Sequence, residues 1–220
     1  MVYIFDLDDT LYDELSYVRG GFSIVAEYLE QKENIPSSEA ISIMETFLPN
    51  DRGSIFDTVL KQYGCYSPNL VQDCIHIYRN HTPTILLYDD VVSFLETIHF
   101  EKKYIVTDGN PTVQRKKIQS LGLKKYNVFY YLTHTLGIEF EKPNTVAFEL
   151  ICKRENIKPT EAVYFGDNLK KDFVGITPLG FKTVQILRGN YKSFEYSAQH
   201  SAMKTIQSFQ EVTPEFLESL

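Results

Sequence analysis

The 220-residue chain has no apolar run of about 18 residues, the length of a membrane-spanning helix, so no span is expected. Its first residues, Met1-Val2-Tyr3-Ile4-Phe5-Asp6, lack a basic stretch and soon reach an acid. No secretory signal is expected from such a start, and the chain is expected in the cytoplasm. Cysteine is scarce. Cys65, Cys74 and Cys152 are odd in number and match no zinc spacing, so they are expected to be reduced small hydrophobes. The five histidines show no metal spacing either. Basic excess is also missing: 22 Lys plus Arg stand against 29 Asp plus Glu, a net charge of −7. That argues against a general nucleic-acid binder, whose affinity comes from a basic surface. Repeats and low-complexity tracts are absent. What is present is 43% hydrophobic and 14% aromatic residues, enough to bury a core and to exclude a disordered chain.

The texture changes twice along the chain. Residues 2–5 are a β-branched and aromatic run ending in Asp6, the signature of a buried strand. Leu15, Val18, Phe22, Val25 and Leu29 then recur at steps of three and four, which predicts a helix. Further helices are expected from Ser37, from Ile55 to Tyr63 and from Leu70 to His81, with breakers at Pro36, Pro49, Gly64, Pro68 and Pro83. From 89 onward strand and helix alternate. Helices are expected at 89–98, 113–121, 144–155 and from Pro214. Strands are expected at 104–106, 128–132, 162–165, 183–186 and near 205–206. The run Phe129-Tyr130-Tyr131 reads as core strand. Such alternation means βαβ units and a parallel sheet. The expected fold class is α/β: a doubly wound, Rossmann-like parallel sheet core (1–13 and 88–220) interrupted by a helical cap insert (14–87). An insert leaving the carboxyl edge of the first strand is placed to act as a lid.

The chemistry lies at the strand ends. The first strand ends in Asp6-Leu7-Asp8-Asp9-Thr10 and a later one in Thr107-Asp108-Gly109. Lys142-Pro143 opens a helix, and another strand runs into Gly166-Asp167 and on to Asp172. A parallel sheet gathers these ends at one edge. Asp6, Asp8, Asp167 and Asp172 cannot all ionise side by side without a compensating charge. Mg²⁺ resolves this, since it takes oxygen ligands and shares them with a substrate phosphate. Lys142 adds a second positive charge. The Thr107 hydroxyl and the backbone N–H groups near Asp108 and Gly109 are candidate phosphate donors. A carboxylate facing phosphorus is a nucleophile that gives an aspartyl-phosphate. Of Asp6 and Asp8, one can attack while the other exchanges protons with leaving group and water.

These motifs, in this order, resemble the haloacid dehalogenase-like hydrolase superfamily, in its phosphatase branch with a helical cap after the first motif. Tyr3 to Thr10 matches its DxDxT motif, Thr107 its strand-ending hydroxyl, Lys142-Pro143 its lysine, and Gly166-Asp167 to Asp172 its GDxxxxD. The resemblance implies Asp6 as nucleophile and Mg²⁺ ligand, and Asp8 as general acid/base with its main-chain carbonyl on the metal. It implies Thr107 holding the phosphoryl group, Lys142 bridging nucleophile and phosphate, Asp167 on the metal, and Asp172 supporting the metal or Lys142. Dehalogenase members lack the second acid of the first motif, so Asp8 favours phosphate-ester hydrolysis. Asp108 departs from the asparagine many relatives carry, and is expected to alter the turn rather than remove activity.

The expected function is Mg²⁺-dependent hydrolysis of a small phosphorylated metabolite, a sugar phosphate or nucleotide, by a monomer or homodimer. Arg19 and Arg52 in the insert are candidate contacts for an anionic substrate group. Two alternatives use similar parts: a phosphomutase, which returns the phosphoryl group to a hydroxyl, and a non-enzymatic phospho-receiver. A receiver has no role for the GDxxxxD acids or for so large an insert.

Overall fold

The computed structural model describes residues 1–194 and 196–220. It divides into two compact units, one of residues 1–14 and 85–220 and one of residues 15–84.

The first unit is built on a six-stranded parallel sheet: β1 (Val2–Phe5), β2 (Lys102–Thr107), β3 (Val128–Leu132), β4 (Ala162–Gly166), β5 (Lys182–Ile186) and β6 (Lys204–Ile206). The strand order is β3-β2-β1-β4-β5-β6, and every pairing is parallel. The order reverses at β1, which lies between β2 and β4. This is the doubly wound, Rossmann-like arrangement, and its ligand crevice opens outside the carboxyl ends of the strands at that reversal. β1 is buried along its whole length, because both its faces are covered. On one face Val2 and Ile4 pack with Tyr104, Tyr164, Phe148, Ile151 and Phe181. On the other, Tyr3 and Phe5 meet Phe94, and the Phe5 ring stacks 5.5 Å from that of Phe165. Phe209 closes that side, with its centroid 5.1 Å from Phe94.

Helices of this unit are α5 (Asp89–Thr97), α6 (Pro111–Ser120), α7 (Val146–Glu155) and α8 (Pro214–Glu218). α6 starts two residues earlier than periodicity predicts. Asn110 caps it, accepting from Thr112 N and Val113 N, and Pro111 needs no partner for its missing N–H. α7 starts two residues later, at Val146. Phe129 and Tyr130 differ from expectation in burial, at 41% and 46% exposed. β3 stands at the edge of the sheet, with β2 as its one strand neighbour among the described residues, so fewer groups flank its side chains. A run of aromatics does not report how many neighbours its strand has.

The second unit holds α1 (Glu14–Glu33) from its second residue on, α2 (Ser37–Phe47), α3 (Ile55–Gln62) and α4 (Pro68–Asn80). α1 buries Val18, Phe22, Val25 and Leu29 at the predicted spacing, whereas Leu15 is half-buried. The rings of Phe22, Phe56 and Tyr78 meet edge to face or tilted, 5.8–6.4 Å apart. Cys74 is buried and Cys65 half-buried here, and Cys152 is half-buried in the α/β unit; all three are free thiols.

Candidate active site

Parallel register places Phe5 beside Ile105 on one side and Phe165 on the other. Asp6 therefore leaves the centre of the sheet, and its N–H still donates to Phe165 O at 2.8 Å. The chain then turns sharply. Leu11 N donates to Leu7 O at 3.0 Å, and Asp9 adopts a left-handed φ of 53°. This loop sends Asp6 and Asp8 to different partners.

Asp6 joins Asp167 and Asp172. Each offers a carboxylate oxygen, and these oxygens all lie within 4.8 Å of one another. Asp172 reaches the group because its segment folds back over the end of β4. Its Oδ2 accepts from Asn168 N at 2.9 Å, and a Cβ at position 166 would overlap this carboxylate, so glycine stands there. Lys142 enters between the acids. Its Nζ donates to Asp6, lies 2.8 Å from Asp172 Oδ1 and donates to the Tyr164 hydroxyl at 2.9 Å. Tyr164 in turn donates to Asp172 Oδ1 at 3.1 Å. The Lys142 and Asp172 side chains are 0% exposed, so this pair is sealed from water.

The charges do not balance. Burial pushes the Asp6 carboxyl up to about 7, aided by Asp172 and opposed by Lys142 and Lys171. Burial pushes Asp167 up to about 10, with Asp172, Asp6 and Asp9 adding to the effect. Burial opposes the charge on Lys142, but Asp172 and Asp6 hold its proton well above the ordinary lysine range. Three buried hard oxygen donors with two acids reluctant to ionise fit a divalent cation such as Mg²⁺.

Asp8 points elsewhere. Its carboxylate accepts from Lys117 Nζ at 2.7 Å, from Gln114 Nε2 at 2.9 Å and from the Tyr12 hydroxyl. Burial opposes its charge, yet these donors, Lys117 foremost, hold it below the usual aspartate range. Gln114 also donates to Thr107 Oγ1 at 2.6 Å, joining the ends of β1 and β2. The Thr107 oxygen is thereby used as an acceptor, which leaves its proton to donate elsewhere. Gly109 has a φ of 101°, a conformation that suits glycine in the turn before α6. The Asp108 carboxylate is enclosed: Oδ1 accepts from Thr133 Oγ1 at 2.8 Å and Lys142 N at 3.1 Å, and Oδ2 meets Lys171 Nζ at 2.6 Å.

Asp6, Asp167, Asp172 and Lys142 thus meet directly, with Thr107 and Asp8 joined through Gln114. Arg19 and Arg52 belong to the other unit and are exposed; the Arg19 guanidinium pairs with Glu45 at 2.9 Å. Sequence reasoning missed Tyr12, Gln114, Lys117, Thr133, Tyr164 and Lys171. Two of them share a helix face. Gln114 and Lys117 lie three apart on α6, so they share one face, and both are buried on a strongly polar helix.

A buried carboxylate and ammonium centre at the switch point of a doubly wound sheet defines the class, an α/β protein with its chemistry at the carboxyl edge. The profile of the family described as haloacid dehalogenase-like hydrolase matches residues 3–186. The chain belongs to that family. It is 31% identical over 201 residues to a Methanocaldococcus jannaschii protein named glyceraldehyde 3-phosphate phosphatase, covering 87% of each chain. It is 25% identical to a Mus musculus protein named N-acylneuraminate-9-phosphatase, covering 81% of this chain and 78% of that one. Among solved structures it resembles the HAD-hydrolase YfnB of Bacillus subtilis, described as bound to magnesium. That likeness has a TM-score of 0.68 at 20% identity over 98% and 97% of the two chains, and it speaks to the fold.

Proposed function

We propose that the protein is a Mg²⁺-dependent phosphatase acting on a small phosphorylated metabolite, with a phosphorylated sugar such as glyceraldehyde 3-phosphate as the first candidate. The observation that carries this reading is the buried Asp6–Lys142–Asp172 cluster beside Asp167, in a chain 31% identical to a protein named for that phosphatase activity. Asp6, Asp167 and the main-chain carbonyl of Asp8 would hold the ion, with Asp172 supporting it. When bound, the ion supplies charge neutralisation at the phosphoryl oxygens.

The side chains divide the remaining work. An Asp6 oxygen attacks phosphorus, the P–O bond to the leaving group breaks, and an aspartyl-phosphate forms. Lys142 fixes the Asp6 carboxylate and opposes the charge gathered around it. Thr107, with its oxygen occupied by Gln114, donates its proton to the phosphoryl group. Asp8 gives a proton to the departing alkoxide and later takes one from the water that hydrolyses the acyl-phosphate. Its resting form beside Lys117 is the anion, the form the second half-reaction needs. A phosphate monoester, whose second pKa is about 6, can bring the proton for the first half. We assign substrate selection to the helical unit, with Arg19 and Arg52 as candidate contacts.

The test is a phosphate-release screen over sugar phosphates and nucleotides, with Mg²⁺ and with EDTA. Release from one class, lost in EDTA, supports the reading. Conversion of a sugar phosphate to its isomer without release identifies a mutase, and no turnover of any pool removes the enzyme assignment.

A further inference from the structure

Lys142 is already engaged by three groups of the site. An ammonium has three N–H bonds. Those of Lys142 face three acceptors: Asp6, Asp172 Oδ1 at 2.8 Å and the Tyr164 hydroxyl at 2.9 Å. Its side chain is 0% exposed, so it meets a phosphoryl oxygen only by giving up one of these partners.

Lys171 is differently placed. Its Nζ lies 2.6 Å from Asp108 Oδ2, and its side chain is 33% exposed. Among the described residues it has one acceptor for three N–H bonds, which leaves two for a ligand. Burial and the nearby Lys142 oppose its charge while Asp6, Asp108 and Asp172 favour it, which puts this ammonium among the charges of the site rather than on a remote surface. Asp108 is a firm anchor for it. That carboxylate is 7% exposed, and its other oxygen is held by Thr133 Oγ1 at 2.8 Å and by Lys142 N at 3.1 Å. The acid at 108 therefore brings a second, accessible lysine to the same edge.

We propose that Lys171 is a phosphate-contacting residue, donating to a non-bridging oxygen of the phosphoryl group while Asp108 holds it in place. The inference deepens the phosphatase reading above and rests on it. It gives the phosphoryl group a second lysine beside Lys142.

The test uses the intact chain with Mg²⁺, with inorganic phosphate as the calorimetric probe and steady-state hydrolysis beside it. Lys171→Met should weaken phosphate binding and raise KM for the ester by about tenfold, the factor that about 1.4 kcal/mol carries. Lys171→Arg should recover most of the loss, since it keeps a charged donor. Lys170→Met removes the same charge from the exposed neighbouring residue and should change neither quantity by more than about twofold. If Lys171→Met folds poorly, Lys171→Gln takes the same readouts. Phosphate affinity and KM within about twofold of the parent in a folded Lys171 variant would overturn the inference. A parent protein that binds phosphate through Lys171 yet hydrolyses no ester would instead overturn the phosphatase reading and leave this contact standing.

Discussion

The two units of the chain treat polar groups in opposite ways. The α/β unit buries Asp6, Asp9, Asp167, Asp172, Lys103, Lys117 and Lys142. The helical unit, among the described residues, buries one polar side chain, His81, within an otherwise apolar interior. Two of its ion pairs are superficial: Lys32 with Asp73 at 3.0 Å and Arg19 with Glu45 at 2.9 Å, with side chains 33–58% exposed. Burying a charge costs stability unless it is paired, so a unit that does so repeatedly has a use for it. Not every buried charge is functional. Lys103 donates to the carbonyls of Ile98, His99 and Glu101 at 2.8–3.1 Å and closes the end of α5. The distinguishing mark of the site is buried acids that lack enough positive charge, as at Asp167.

The sharpest way to break this contrast is Asp6→Asn, which should reduce turnover by at least about a thousandfold while leaving the circular dichroism spectrum unchanged. Lys142→Met comes next. It strands Asp6 and Asp172 in the interior and should cost about 3–5 kcal/mol in urea unfolding, along with activity. In the helical unit the sensitivity should be to shape. Gly21→Ala in α1 would ordinarily favour a helix, but its Cβ would lie 2.5 Å from the Tyr78 ring, so a loss of about 1–3 kcal/mol is expected.

A subtler difference concerns pH. Asp6 and Asp167 bind protons more tightly folded than unfolded, so in the metal-free protein their stabilising contribution is complete below the ordinary aspartate pKa. It is lost as pH rises through about 7 for Asp6 and about 10 for Asp167. A divalent cation takes the place of those protons. Mg²⁺ should therefore raise the melting temperature more at about pH 8 than at about pH 5 in a thermal shift assay. Equal shifts would mean that the ion does not bind these acids. The smallest expected effect is Asp73→Asn, an exposed partner of Lys32, which should leave the melting temperature unchanged.

Much of the α/β unit is legible in the sequence, since β1 to β4 are short, largely apolar runs that end at an acid or a hydroxyl. Asp6, Thr107 and Asp167 stand out because each lies at the end of a short apolar strand, and Lys142 because Pro143 follows it ahead of a helix. Gln114 and Lys117 do not, because their partner Asp8 is more than a hundred residues away and local pattern carries no distance of that kind. Tyr164 reads as one more apolar strand residue, and only the folded chain shows its hydroxyl between Lys142 and Asp172. Lys171 falls among the unspecified positions of GDxxxxD. The edge position of β3, which exposes Phe129 and Tyr130, depends on strand order, and that is a property of the whole sheet.

The central claim is that Asp6 is the nucleophile. Its most direct measurement is mass spectrometry of the protein, acid-quenched during turnover of an ester identified by the screen. Phosphate is expected on the peptide carrying Asp6, located at that side chain and absent in Asp6→Asn. Rapid turnover with no modified Asp6, together with an active Asp6→Asn variant, would contradict it.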